Sequence, residues 1–311
     1  MLNIQNNILL APYTTFKIGG PARYFVSVSS EEELKSAAEW AKKNNLPILI
    51  LGGGSNVLIS DKGFNGLVIK IQDSRFKIQD SEVICGAGVP LMMIVSEAVK
   101  DGLSGLEWAI GIPGTIGGAI RGNAGAFGKA IGEFIESAEV FDVSKMKIVS
   151  YSNENCRFGY RDSIFKKNSN LIILRAIVEL RRGEKENIRN LIKEYLSGRP
   201  TGLGKSAGCF FKNIPWSRKD LDKELLIKSF SELKIYSEKP KIATGFLIDH
   251  LGLKGKKIGG AEIPAQHANY IINTGNASAE DVVMLASLVK ERVQHHYGFL
   301  LEEEVELAGF N

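Results

Sequence analysis

Leu51-Gly52-Gly53-Gly54-Ser55-Asn56 closes an apolar run, residues 47–51, that is bounded by turn formers and predicts a buried strand. Three successive glycines after a strand can form a nest of backbone N–H groups, and Ser55 and Asn56 add donors suited to phosphate oxygens. The same residues also suit a plain strand-to-loop turn. What they do not make is either of the common nucleotide folds. A P-loop needs a Lys-Ser or Lys-Thr pair, and a Rossmann unit needs GxGxxG opening a helix. A nucleotide cofactor on this chain is therefore held by another architecture.

Upstream of that loop, residues 24–28 read as a strand. Ser30 with Glu33 forms a capping box opening a helix through about residue 44, whose Leu34, Ala37, Ala38 and Ala41 share one face. Downstream, strands are expected at 67–71 and 83–85, a helix at 91–100, a hairpin at 137–143 and 147–150, and a strand at 171–180. Polar residues 181–185 suit a domain boundary. Beyond them come helices at 186–196 and 244–251, a strand at 269–273, a helix capped by Ser278 to about residue 296, and a last strand at 300–307.

Composition narrows the class. With 311 residues, 44% hydrophobic and 24% charged, the chain suits a soluble protein of two or three domains. Its three cysteines lack CxxC spacing, which suggests neither a disulfide framework nor a zinc site, and no metal is expected. Residues 1–12 lack the pattern of a signal peptide and no long apolar run occurs, so a cytoplasmic location without membrane association is expected. Lys and Arg (39) barely exceed Asp and Glu (35) and are dispersed, which argues against a nucleic-acid surface and suits anionic small molecules.

Several stretches carry candidate chemistry. In Ile112-Pro113-Gly114-Thr115-Ile116-Gly117-Gly118-Ala119, glycines alternate with small apolar residues, as where backbone lies against an extended ligand or where chain packs tightly on chain. Arg157-Phe158-Gly159-Tyr160-Arg161-Asp162-Ser163 offers a bidentate arginine suited to a carboxylate, or a surface arginine paired with Asp162. Ser206-Ala207-Gly208-Cys209-Phe210-Phe211-Lys212-Asn213 sets a thiol beside small and aromatic residues, with a cation and an amide suited to a diphosphate; a lone cysteine also serves as a small buried apolar group. Glu302, Glu303 and Glu304 are expected in a strand that sends neighbours to opposite faces.

These motifs occur in one order, together with Thr15-Phe16-Lys17-Ile18-Gly19-Gly20, Gly252-Leu253-Lys254-Gly255 and His267-Ala268-Asn269-Tyr270-Ile271-Ile272-Asn273. The series resembles the UDP-N-acetylenolpyruvoylglucosamine reductases along essentially the whole chain, in the form without an extra tyrosine-bearing loop. The resemblance implies an α+β protein: a two-lobed FAD-binding domain of the vanillyl-alcohol-oxidase (PCMH) type, lobes 1–75 and 76–182, then a substrate domain, 183–311, whose last strand returns to the active site. It implies noncovalent FAD, held by Gly52, Gly53, Gly54, Ser55, Asn56, Ile112, Pro113, Gly114, Thr115, Gly117 and Gly118. It implies ping-pong use of NADPH to reduce UDP-N-acetylglucosamine enolpyruvate to UDP-N-acetylmuramate for peptidoglycan precursors, by a monomer.

Position by position, Arg161 matches the arginine that polarises the substrate carboxylate, and Glu304 the glutamate that assists it. Cys209 stands where many members carry the serine that protonates the carbanion, and a thiol, with pKa about 8.5, is the stronger acid. Tyr160, Lys212 and Asn213 are expected to bind substrate, with Arg199 or Lys205 as a further diphosphate ligand. Glu303 replaces the usual proline. The alternatives are another noncovalent flavin oxidoreductase of the same fold, or a nucleotide-binding module without catalysis. A flavin bound covalently through a histidine near the glycine-rich loop is disfavoured, since all four histidines lie at 250 or beyond.

Overall fold

The computed structural model describes residues 2–200 and 202–310, and the chain forms two compact units. Unit 1 comprises residues 1–8, 22–54 and 64–199, and unit 2 comprises residues 9–21, 55–63 and 200–311.

Unit 1 contains two larger sheets, beside two-stranded pairs. The first runs in the order Gln5–Leu9, Pro21–Val28, Phe64–Ile71, Ile48–Leu51, with the last three strands parallel. Helix Glu31–Lys43 lies in sequence between two of them; Ser30 Oγ accepts from Glu33 N at 3.2 Å, while Glu33 accepts from Ser29 N at 2.7 Å. Its buried Leu34, Ala37, Ala38 and Ala41 recur at helical spacing and join the core. Ile48–Leu51 is only half-buried apart from Leu51, although a fully buried strand is expected from its composition. It stands at the edge of its sheet, where one side lacks a neighbouring strand.

The second sheet is antiparallel, ordered Lys147–Ser152, Ile135–Asp142, Leu171–Glu179, Glu82–Gly86, Phe76–Gln79. Its central strand buries Leu171, Ile172, Ile173, Leu174, Ala176 and Val178, apolar on both faces as for a strand covered on both sides. Helix Leu91–Lys100 and Trp108 share that core. Helix Lys185–Ser197 belongs to the same unit and buries Ile188.

Unit 2 is built around helix Ala279–Tyr297, whose Val282, Leu285, Ala286, Val289, Val293 and Tyr297 are buried at 3- and 4-residue intervals. Its sheets are small: Lys257–Ile258, Ala261–Glu262 and Ile272–Asn273 in one, an antiparallel pair of Ile214–Pro215 with Lys241–Ile242, and a parallel pair of Val57–Ile59 with Glu306–Ala308. Two expected strands are shorter than their composition suggests. The 269–273 strand reduces to Ile272–Asn273, because Asn269 turns its side chain onto the backbone of Phe211. The 300–307 strand reduces to Glu306–Ala308, and Glu302, Glu303 and Glu304 precede it in an irregular segment. There the Phe210 carbonyl accepts from both Glu304 N (2.8 Å) and Val305 N (3.4 Å), a bend that strand alternation does not allow. Among the described residues no helix is long and apolar enough to cross a membrane.

Candidate active site

In unit 1 the glycine-rich segments meet. A Cβ on Gly53 would lie 2.5 Å from Gly114 Cα, and one on Gly52 would lie 2.6 Å from Thr115 Oγ1, so neither position admits a side chain. Gly117 is likewise packed, 2.8 Å from the Ala87 side chain, and its N–H donates to Ala87 O. Close packing of chain on chain thus explains these glycines.

It does not explain Gly118 and Gly122. Both lie in the short helix Ile116–Gly122, capped by Thr115, where glycine costs about 1 kcal/mol relative to alanine. Nothing crowds a Cβ at either position: the nearest atom to one on Gly118 is 3.7 Å away, and none lies within 4 Å at Gly122. Four residues apart, they share one helix face. Both glycines therefore leave open space where a side chain would stand.

Beside Gly52 stands a group that motif reading misses. Lys70, on strand Phe64–Ile71, donates its ammonium to Gly52 O, and burial lowers its pKa. The only sequence signal is a lysine set among the apolar residues 67–71 of that strand.

Arg161 also belongs to unit 1. Gly159 and Asp162 exchange backbone hydrogen bonds of 2.9 and 3.2 Å, making Tyr160-Arg161 the corner of a tight turn. Arg161 takes φ 53° at the third position, where glycine or asparagine is usual. Such a conformation costs about 1–3 kcal/mol and persists only when its surroundings impose it. Here Asn123 Nδ2 donates to Gly159 O at 2.7 Å, while Asn123 Oδ1 accepts from Gly132 N at 3.0 Å. On the other side Ser163 Oγ donates to Arg121 O at 2.7 Å. Asp162 pairs with Lys167 at 2.5 Å, and the Arg161 guanidinium lies over the Tyr160 ring, 5.8 Å from its centroid. Asn123, buried and itself at φ 43°, is the second residue that sequence reading leaves without a role.

In unit 2 the structure brings the segments of Cys209 and Glu304 together. Cys209 bridges Tyr270 and Phe211 bridges Glu303, with the Phe210 carbonyl bonded to Glu304 N between them. Asn269, 3% exposed, fixes Phe211 by donating to its carbonyl at 2.8 Å and accepting from its N–H at 3.1 Å. Asn56 Nδ2 donates to Glu304 O at 3.1 Å, and Asn56 O accepts from Glu306 N, so this residue of the glycine loop braces the glutamate segment. The three carboxylates differ in setting. Glu302 pairs with Lys212 at 3.0 Å, Glu303 pairs with Lys290 at 2.8 Å, and Glu304 is half-buried. Asn213 Oδ1 accepts from Thr244 N at 3.1 Å.

The cysteines divide by environment. Cys85 and Cys156 are buried, and desolvation pushes their thiols up to about 12 and about 11, which keeps them protonated and inert. Cys209 is half-exposed. Of the two candidate basic ligands, Arg199 lies in unit 1, donating to Trp108 O at 2.6 Å with its guanidinium over the Phe127 ring. Lys205 is exposed in unit 2, in the same unit as Lys212 and Asn213.

Residues 22–150 match the family described as FAD binding domain, and residues 199–308 match that described as UDP-N-acetylenolpyruvoylglucosamine reductase, C-terminal domain. A UDP-N-acetylenolpyruvoylglucosamine reductase of Clostridium tetani is 37% identical over 311 residues, covering 99% of this chain and 92% of the relative. The chain belongs to the UDP-N-acetylenolpyruvoylglucosamine reductase family. Another reductase of this name, from Prochlorococcus marinus (strain NATL2A), is 35% identical with 99% of both chains covered. The crystal structure of the reductase from Thermus caldophilus superposes with a TM-score of 0.79 at 34% identity, over 99% of this chain and 100% of that one. The fold of this family member is therefore α+β, an FAD-binding domain of the PCMH type followed by the reductase C-terminal domain, as the ordered motifs imply.

Proposed function

We propose that the protein is the cytoplasmic, FAD-dependent and NADPH-driven reductase that converts UDP-N-acetylglucosamine enolpyruvate to UDP-N-acetylmuramate in peptidoglycan precursor synthesis. The observation that carries this reading is family membership along 99% of the chain, and the ordered motifs make Arg161, Cys209 and Glu304 the residues to which the chemistry is assigned. Gly52, Gly53, Gly54, Ser55, Asn56 and the segment from Ile112 to Gly118 would hold FAD, the bare Gly118–Gly122 face admitting it closely. When bound, FAD supplies the hydride, drawn from NADPH, that adds to the vinyl carbon of the substrate.

The chain's residues handle what that addition creates. Arg161, pre-set by its turn, binds the enolpyruvyl carboxylate and stabilises the negative charge that develops on it, with Glu304 assisting. Cys209 gives its proton to the adjacent carbon. Tyr160, Lys212 and Asn213 bind the rest of the substrate, and Lys205, exposed and in the same unit as Lys212 and Asn213, is the better candidate than Arg199 for a further diphosphate ligand. The exposed pair of Lys212 with Glu302 is worth at most about 1 kcal/mol, so an anionic ligand displaces it readily. The cofactor falls to the lobes 1–75 and 76–182 and the substrate to 183–311, in a monomer; the compact units divide the chain differently, with 9–21 and 55–63 in unit 2 and helix Lys185–Ser197 in unit 1.

The test is steady-state oxidation of NADPH by the yellow, FAD-loaded protein with and without the enolpyruvyl sugar nucleotide. Turnover dependent on that substrate, with UDP-N-acetylmuramate as product, is expected. Oxidation that needs only dioxygen, or a protein that takes up no FAD, would sink the reading.

A further inference from the structure

Unit 2 holds a side-chain cluster that the reaction does not use. Glu232 lies in the first turn of the 3₁₀ element Ser231–Tyr236, His250 ends helix Thr244–His250, and His296 lies in the last turn of helix Ala279–Tyr297. Their ligand atoms, one from each residue, all lie within 4.8 Å of one another. A single oxygen, Glu232 Oε1, faces both imidazoles, 3.3 Å from His250 Nε2 and 3.9 Å from His296 Nε2. We propose that Glu232, His250 and His296 form a binding site for a divalent transition metal, with zinc as the best fit, that ties together three elements of unit 2.

Four arguments support the assignment. Two imidazoles and one carboxylate are a ligand set suited to Zn²⁺, and three protein ligands leave further positions for water. Zn–N and Zn–O bonds of about 2.0–2.2 Å in a tetrahedron place ligand atoms about 3.4 Å apart, so the observed separations close around an ion with small rotamer changes. Both histidines sit at helix C-termini, where the macrodipole favours a cation. Supporting contacts also exist: Tyr297 Oη donates to Glu232 Oε1 at 3.4 Å, the His250 ring stacks on Phe246, and the His296 ring packs on Phe230. Such outer contacts orient metal ligands and raise affinity. Sequence spacing gives no sign of the site, because the three residues come from separate elements and match no short metal motif.

The alternative is a cluster in which the carboxylate merely pairs with imidazoles. Metal titration separates the two. The FAD-loaded protein, freed of any affinity tag, is titrated with Co²⁺ for visible ligand-field absorption and with Zn²⁺ against a chromophoric chelator. One equivalent of saturable binding is expected, with a rise in melting temperature on Zn²⁺ addition. Loss of a ligand in His250→Ala, His296→Ala or Glu232→Gln should weaken Zn²⁺ at least about tenfold, by comparison with the 10- to 100-fold cost of losing an outer partner alone. His295→Ala, altering an exposed neighbour outside the cluster, should bind as the parent does. Both histidines of the cluster are 42% exposed, so these variants are expected to fold. No saturable binding, equal affinity in the three ligand variants and the parent, or an equal loss in His295→Ala would overturn the proposal.

Discussion

Cys209 directly precedes the Phe210 carbonyl that accepts from Glu304 N, so a thiol and a carboxylate that the sequence separates widely share one rigid support. If the thiol is the proton donor, Cys209→Ala should slow reoxidation of the reduced enzyme by the enolpyruvyl substrate by about 10²-fold or more while leaving its reduction by NADPH near normal, and Cys209→Ser should restore much of the rate. Arg161→Lys should slow the same half-reaction, because lysine keeps the charge but loses the bidentate guanidinium contact, which matters most once the carboxylate gains electron density. Stopped-flow measurement of each half-reaction decides; near-normal turnover in Cys209→Ala would make the thiol a packing residue. Glycines, a cysteine and arginines in ordered motifs are legible because each is an unusual choice where it stands. Asn123, Asn269 and Lys70 are not legible, since each acts through hydrogen bonds to distant backbone that leave no local pattern.

The N-terminus of helix Ala279–Tyr297 shows the same division within one element. Ser278 Oγ accepts from Asp281 N at 3.0 Å, and Asp281 accepts from Ser278 N and Gly260 N, each at 3.0 Å. Asp61 answers the first-turn N–H groups of Ala279 (2.9 Å) and Glu280 (3.2 Å). The serine was readable beside the helix it opens, whereas Asp61 comes from more than two hundred residues earlier. Loss of either cap should cost about 1 kcal/mol, so Ser278→Ala and Asp61→Ala should each lower the urea midpoint. Backbone hydrogen bonds from Ser278 and Gly260 hold the Asp281 pKa below its ordinary value. Its contribution is therefore fully present above the unfolded value of about 3.9 and fades as pH falls through the lower folded value. The stability gap between parent and Asp281→Asn should shrink on going from about pH 6 to about pH 3. A gap constant with pH would show that the charge contributes nothing. The shortened strands at 269–273 and 300–307 depart from their composition through long-range contacts: Asn269 Oδ1 accepts from Phe211 N, and the Phe210 carbonyl accepts from both Glu304 N and Val305 N, which bends the chain.

At the scale of the molecule, unit 2 is assembled from three separated stretches, and the early ones, 9–21 and 55–63, place Phe16, Ile18 and Leu58 in a core otherwise made by later residues. A chain ending at residue 199 should therefore leave those stretches without protection in amide exchange, while the full-length protein protects Val57–Ile59. Protection of 55–63 in the shortened chain would show that they fold without the later residues. Gly52, Gly53 and the glycines of residues 112–119, by contrast, lie within unit 1 and need no residue beyond 199 to meet. Pairing of Val57–Ile59 with Glu306–Ala308 has a consequence for biosynthesis. Asn56 and Glu304, beside these strands, are 248 residues apart, so at about 5–20 residues per second the ribosome delivers the partner strand roughly 12 to 50 s late. Until the later residues of that core emerge, the nascent polypeptide displays Leu58 and Phe16 uncovered, a natural client for holdase chaperones.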